Sequence, residues 1–377
     1  MRIGIDARFY GPRVGGGGIG RYVQELITHL QQIPTQHQYI LFLKKENFHE
    51  CTITNPHFEK RMADVHWYGL AEQRFMPRII REAQVDLMHY PHWNIPIFAR
   101  TPFVVTIHDL ILLEDRHSAR TSANNRLLHG FKYAAFRTVL ETAIHGSRQI
   151  ITVSKYSKHS ILQHFGVQEK KVHVVHNGIT PLHTKRKINL RDLGVLEPYF
   201  LYVGNAYPHK NLEMLMHAFA LFCELEPYVQ LVIAGRRDVF SRALEQEARQ
   251  IQIPTDRLRF IDLPSDEEIG TLYEHAHLFI YPSRLEGFGL PPLEALTHHI
   301  PVAVARSSSL PEILSDCASY FDPDDIEQLV QIMRQSVHNP HAIRPDPQKI
   351  TSLLSHYQWN RTALQTQDIY EQALFKR

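Results

Sequence analysis

The stretch YPSRLEGFGLPPLEAL, residues 281 to 296, sets two carboxylates, Glu286 and Glu294, eight positions apart with Gly-Phe-Gly and Pro-Pro between them. A strand closing near Tyr281, a turn holding Gly287 and Gly289, and a proline at 291 or 292 suited to a first helical turn read as strand, turn and helix. The opening amides of such a helix have no partner within it. Glycines ahead of them let a ligand approach the backbone, so the segment is a cradle for an anion and for hydroxyls. Glu286 in the turn can accept hydrogen bonds from a polyol, and Glu294, expected in the first helical turn, can do the same for a second hydroxyl pair. A nucleotide sugar has the matching parts: a hexose, a diphosphate and a ribose diol. Helix capping accounts for either glutamate alone, but it does not call for the string between them.

A second segment, LYVGNAYPHKNLEML (201–215), runs from a strand into Gly204 and then delivers Lys210 and Asn211 at a helix entrance. A lysine there supplies the mobile positive charge that a phosphate site needs. A third, VGGGGIGRYVQEL (14–26), has the Gly15-x-Gly17-x-x-Gly20 spacing of a dinucleotide fingerprint. ARFYGPRV separates it from the first strand, however, and the second strand ends in LFLKKEN, with Lys44 and Lys45 ahead of any acid for a ribose. It reads instead as a glycine loop opening a helix, its amides from Gly16 to Gly18 reaching toward a phosphate or an acceptor. FVVTIHDLILLE (103–114) ends a strand at His108 and Asp109, which makes His108 a candidate to hydrogen-bond a reacting sugar. No HExxH or comparable ligand spacing occurs among the 25 histidines.

The elements that must carry these residues alternate. RIGID, YILFL, VDLMHY, FVVTIHD, QIITVS and KVHVVHNG read as short strands, with amphipathic stretches between them such as RYVQELITHLQQ, where Tyr22, Leu26, Leu30 and Ile33 recur at helical spacing. YFLYVGN begins a second series that continues through VQLVIAGR, LRFID, HLFIYPS and IPVAVARSS. Such alternation predicts parallel sheets covered on both faces, in two α/β domains with a ligand cleft at the carboxyl ends of the strands. The predicted boundaries are a first Rossmann-like domain at 1–182, a polar, basic linker at 183–198, a second Rossmann-like domain at 199–355, and a helix at 356–377 that either domain could claim.

Three widely spaced cysteines argue against a disulfide framework, and the charged start MRIGIDARFYGPR is not a signal peptide; with no run of eighteen apolar residues, a cytoplasmic protein is expected. The net charge of +2 is divided unevenly. Residues 1–180 hold 22 Lys and Arg against 14 Asp and Glu, a net of +8, and the remainder holds 19 against 25, a net of −6. A basic half fits phosphates or an anionic membrane surface, and it also fits a merely solvated one.

Taken with IGIDAR, GGIGRY, TVSKYSKHSI, HNGI, VIAGR and SSLPEI, these segments resemble the GT-B glycosyltransferases of family 4, a large retaining group, over nearly the whole chain. Within it they look most like bacterial mannosyltransferases that build lipopolysaccharide O-antigen or exopolysaccharide. The family's E-x7-E motif is the most specific element, and Glu286 and Glu294 occupy its two positions. The resemblance implies a GT-B fold and transfer of a hexose, mannose from GDP-mannose above all, to a saccharide or polyprenyl-diphosphate-linked acceptor. It implies no metal and no nucleic acid, with peripheral contact at the cytoplasmic face of the inner membrane.

By the same resemblance Glu286 would bind donor-sugar hydroxyls, with the amides of Phe288, Gly289 and Leu290 on sugar and phosphate, and Glu294 would hold the ribose. Lys210 would neutralise the diphosphate, Gly17 and Gly18 would close over it, and His108 would touch the transferred sugar. Gly204 and Asn205 would border the donor, and Asp262 and Leu263 the base. Many members carry an arginine five residues before the lysine; here that position is Asn205, which leaves Arg284 or Arg236 as a substitute. Two other classes share parts of the pattern. An NAD-dependent oxidoreductase is disfavoured by Lys44 and Lys45, and a non-catalytic sugar-nucleotide-binding subunit by the intact Glu286, Glu294 and Lys210. Among transferases, a UDP-sugar donor is the alternative to GDP-mannose.

Overall fold

The computed structural model describes residues 1–15, 17–115, 126–182 and 188–375. Gly16 and residues 183–187 of the expected linker lie outside the described residues. The chain forms two compact units, one of Met1–Leu110, Ala123–Gly178 and Tyr357–Arg377, the other of Ile111–Ser122 and Ile179–His356.

In the first unit seven parallel strands make one sheet: β1 (Arg2–Asp6), β2 (Gln38–Leu43), β3 (Phe58–Met62), β4 (Leu87–Tyr90), β5 (Phe103–Ile107), β6 (Gln149–Thr152) and β7 (Val172–Val174), in the order β3-β2-β1-β4-β5-β6-β7. Ile3 pairs with Tyr39 on one side of β1 and with Leu87 on the other. The apolar runs are explained by burial on both faces, since Ile3, Ile5, Leu41, Val104 and Ile151 are fully inaccessible. Strand order reverses between β1 and β4, which opens a crevice at the carboxyl ends of these strands.

The helix Gly18–Leu30 buries Tyr22, Val23, Leu26, Ile27 and Leu30 against this sheet. Ile33, expected on its face, lies beyond the helix and packs partly buried against the same core, because the chain turns after Leu30 ahead of Pro34. The last helix, Trp359–Phe375, packs on the Gly18–Leu30 helix and on β4, β5 and β6. Its entry is tight: a Cβ at Gly178 would stand 2.3 Å from the Trp359 nitrogen, so only glycine lets the two segments pass.

The second unit has six parallel strands: β8 (Tyr199–Val203), β9 (Gln230–Gly235), β10 (Leu258–Asp262), β11 (Leu278–Tyr281), β12 (Val302–Ala305) and β13 (Ser319–Phe321), in the order β10-β9-β8-β11-β12-β13. The order again reverses, here between β8 and β11, and the loops after these two strands carry Lys210 and Glu286. Among the described residues no helix is long and apolar enough to cross a membrane.

Candidate active site

After β8 the chain makes a single turn at Pro208–Lys210, and Asn211, at φ 58°, redirects it into the helix Leu212–Leu225. Lys210 thereby points toward the end of β11. Its Nζ stands 2.5 Å from Glu286 Oε1 and 3.1 Å from the Tyr281 hydroxyl. Glu286 is only 7% exposed. Burial, the largest influence, raises its pKa, but the charge and hydrogen bond of Lys210 outweigh burial and hold it below the usual carboxylate range. The phenols of Tyr281 and Tyr202, stacked at 5.8 Å, are pushed well up by burial and stay protonated.

The turn around Glu286 is clamped from the segment after β12. Glu286 N donates to Ser308 Oγ at 2.9 Å, Ser309 Oγ donates to the carbonyls of Glu286 and Phe288, and Ser307 Oγ donates to that of Ser283 at 2.6 Å. Gly289, at φ 95°, then opens the helix Leu290–Thr297 with Pro291 and Pro292 in its first turn. With prolines at 291 and 292, which carry no N–H, the first turn presents the Leu290 amide, and no side-chain cap takes it up. Because the helix starts at Leu290, Glu294 falls in its second turn rather than its first. There it is nearly buried, and Oε2 accepts from the Tyr273 hydroxyl at 3.2 Å.

The same unit has a recess lined by Gly204, Ala206, Ile233, Gly235, Phe260 and Asp262. Asp262 Oδ1 accepts from the Arg237 amide at 2.8 Å, and Leu263, at φ 47°, donates to the Gly235 carbonyl at 3.0 Å. Asn205 is exposed, with its carbonyl taken by the Tyr202 hydroxyl at 2.8 Å. Of the two possible substitutes for the missing arginine, Arg236 lines this recess, whereas Arg284 is paired with Asp324 at 2.6 Å. His209 is held neutral, its pKa lowered to about 4 by burial and by the charge of Lys210. Among the described residues no group of three His, Cys, Asp or Glu gathers as metal ligands.

His108, Gly17 and Gly18 belong to the first unit. His108 follows β5, with its ring edge-on to Tyr22 at 4.7 Å and its carbonyl accepting from Ser157 Oγ at 3.0 Å. Nε2 lies 3.0 Å from the Pro91 carbonyl, which can only accept. Burial, against that bond, lowers the pKa to about 4. The ring is therefore neutral at pH 7 and protonated on Nε2, which makes Nδ1 its acceptor. Gly17, at φ 61°, caps the Gly18–Leu30 helix, and a Cβ at Gly17 or Gly18 would meet nothing within 4 Å. Packing does not demand glycine at these two positions; the positive φ demands it at Gly17.

Residues 16–181 match the family described as Glycosyltransferase Family 4, and residues 186–351 match Glycosyl transferases group 1. The chain belongs to glycosyltransferase family 4. The transferase is 25% identical to the O-antigen chain mannosyltransferase RfbU of Salmonella typhimurium, over 87% of this chain and 89% of that one. It is 24% identical to the O-antigen chain mannosyltransferase B of Escherichia coli, over 94% and 96%. Its fold matches Anabaena HepE, solved with UDP and glucose, at a TM-score of 0.73 and 16% identity, over 99% of this chain and 100% of that one. The fold is GT-B, with two Rossmann-like α/β domains, and the protein is an enzyme that transfers a hexosyl group.

Two features of the site escaped the sequence. The serine clamp at 307–309 is visible in the sequence only where IPVAVARSS runs into SSLPEI, with nothing to tie it to a turn 22 residues earlier. In the first unit, the Pro91 carbonyl that fixes the proton of His108 on Nε2 gave no local signal.

Proposed function

We propose that the transferase moves mannose from GDP-mannose to a saccharide or polyprenyl-diphosphate-linked acceptor, with retention at the anomeric carbon, in O-antigen or exopolysaccharide synthesis. The observation that carries the reading is the Lys210–Glu286 pair, formed in the turn that leads into a helix whose first amide, that of Leu290, no side chain caps. An ammonium and a carboxylate that neutralise each other can separate when a donor arrives, the lysine turning to the diphosphate and the carboxylate to sugar hydroxyls. The O-antigen mannosyltransferases that match most of the chain favour mannose. A carboxylate at the edge of the recess, Asp262, favours guanine, because it can accept from both donors of that base's Watson–Crick edge, where uracil offers one.

In this mechanism the bond from C1 to the diphosphate oxygen breaks with its electron pair going to the diphosphate. The acceptor hydroxyl bonds to C1 on the same face, and its proton passes to the departing phosphate oxygen. Lys210 and the amides of Phe288, Gly289 and Leu290 stabilise the charge that develops there, and no metal is needed. Glu294 holds the ribose. The basic first half favours peripheral contact with an anionic membrane face.

Thermal denaturation with GDP, UDP, ADP and dTDP, repeated on Lys210→Ala, tests the donor site. A ligand at a hundredfold over its Kd adds about 2.7 kcal/mol. Stabilisation by GDP that is lost in the variant is expected. Stabilisation by UDP alone overturns the guanine assignment, and none by any nucleoside diphosphate overturns the donor site.

A further inference from the structure

The first unit contains a buried ion cluster that the donor chemistry does not use. The Arg8 guanidinium, wholly inaccessible, gives Nε to Asp6 Oδ1 at 2.8 Å, one terminal nitrogen to Asp6 Oδ2 at 2.6 Å and Glu72 Oε1 at 2.5 Å, and the other to the Val65 carbonyl at 3.2 Å. Glu72 also accepts from Asn94 Nδ2 at 2.8 and 2.9 Å and, through Oε2, from the Tyr68 amide at 3.0 Å. These bonds lock together the segments that follow β1, β3 and β4, at the carboxyl ends of the strands where the order reverses. Buried ion clusters contribute little net stability for their desolvation cost, so geometry is what this one supplies.

It holds a set of aromatic rings. Trp67 stacks on Phe9 at 4.4 Å, and Tyr68 faces Trp93 at 5.3 Å, which in turn lies 4.9 Å from His92. Tyr68 is 53% exposed, yet its backbone sits at φ 63°, a conformation that costs a non-glycine residue energy and persists only where the surroundings enforce it. Here the enforcement is the bond from its amide to Glu72. The segment that carries His92 and Trp93 also fixes His108, whose Nε2 is held by the carbonyl of Pro91.

We propose that Tyr68 and Trp93, backed by Trp67, form the subsite on which a pyranose ring of the acceptor saccharide stacks. The proposal rests on the transferase reading above. Flat, partly exposed rings suit the C–H face of a sugar. The hydroxyl of half-exposed Tyr68, 3.5 Å from His92 Nδ1, which itself accepts from the Asn94 amide, offers a sugar hydroxyl a polar partner that an isoprenoid chain would leave unused. Strain at an exposed aromatic residue fits a ring held out for a ligand.

The chain has three tryptophans, and two of them, Trp67 and Trp93, are in this set, so intrinsic fluorescence reports on it; Trp359 is buried elsewhere in the unit. The full-length protein would be titrated with α-1,3-mannobiose and, separately, with geranyl diphosphate. Tyr68→Gly relieves the positive φ while removing the ring, and Tyr68→Phe keeps the ring. A saturable change with mannobiose is expected, weakened about tenfold in Tyr68→Gly and retained in Tyr68→Phe, with the midpoint of thermal unfolding of Tyr68→Gly no lower than wild type. No response to mannobiose, equal affinity in Tyr68→Gly, or a response to geranyl diphosphate alone would overturn the subsite. Stabilisation by GDP, measured on the same samples, reports the donor site separately, so loss of one does not mimic loss of the other.

Discussion

Each unit has an ion cluster at the carboxyl ends of its sheet, at the place where strand order reverses, and the two are built to opposite ends. Lys210 and Glu286 keep 14% and 9% of their side chains exposed and have a single ion-pair contact between them. Arg8, Asp6 and Glu72 keep 0%, 2% and 0%, with every arm of the guanidinium engaged. A pair that solvent and ligand can reach can be exchanged for a ligand. A cluster sealed among hydrogen bonds can only hold what surrounds it. The contrast separates two duties of charge in one fold, rebinding in the second unit and positioning in the first.

Removing one partner from each cluster is the strongest way to break this comparison. Arg8→Ala strands two buried carboxylates and is expected to cost about 3–5 kcal/mol of stability, read by denaturant unfolding. Lys210→Ala strands one carboxylate where Arg8→Ala strands two, so it should cost less, about 1–3 kcal/mol, and lower kcat by roughly 10²–10³, the loss typical of one donor to a developing oxyanion. If Lys210→Ala unfolds as readily as Arg8→Ala, the distinction between the clusters fails.

Acid should act through the histidines behind the site. The pKa of His89 and of His92 is lowered to about 3, and that of His108 to about 4, each chiefly by burial. In the unfolded chain these groups take up protons near pH 6.5, whereas in the fold they stay neutral, so stability is whole above that pH and is lost as pH falls toward 4. At pH 5 the loss is roughly 2 kcal/mol for each such histidine. A flat stability profile between pH 7 and 5 would contradict this.

A smaller effect sharpens the second unit's side. Gly289→Ala meets both φ 95° and the Leu310 side chain, 2.8 Å from the new Cβ. It should destabilise by about 1 kcal/mol or more and weaken GDP binding, because the helix start shifts. The smallest effect is expected at Arg284→Ala: its partner Asp324 is fully exposed, and both unfolding and activity should be unchanged. Loss of GDP binding in Arg284→Ala would show that this arginine takes the place of the one missing at Asn205.

Much of the frame was legible in the chain. Runs such as YILFL and FVVTIH are apolar because both faces of the sheet are covered, and glycine with proline marks where Leu290–Thr297 begins. FEKRM, as β3, carries no strand signal, since an edge strand with charged, partly exposed residues has no apolar run to read. SYF, as β13, is too short to register. Glu294 was set one turn too early, because a proline pair does not say which residue before it takes the left-handed cap, and Gly289 does. The pairing of Arg284, a possible substitute for the arginine missing at Asn205, with Asp324, 40 positions away, has no signal in the sequence.

By itself the sequence determined what depends on local order: strand and helix alternation, the turn before Leu290, the carboxylates at 286 and 294, and a lysine at a helix entrance. Only the tertiary structure decided the unit on which Trp359–Phe375 packs, the Lys210–Glu286 contact, and the Arg8–Glu72 pair that holds Tyr68 in a strained backbone. The reason is physical. Backbone propensity and capping act over a few residues, but charge compensation and close packing act between whichever groups the sheet order brings together, 64 positions apart for Arg8 and Glu72 and 76 for Lys210 and Glu286.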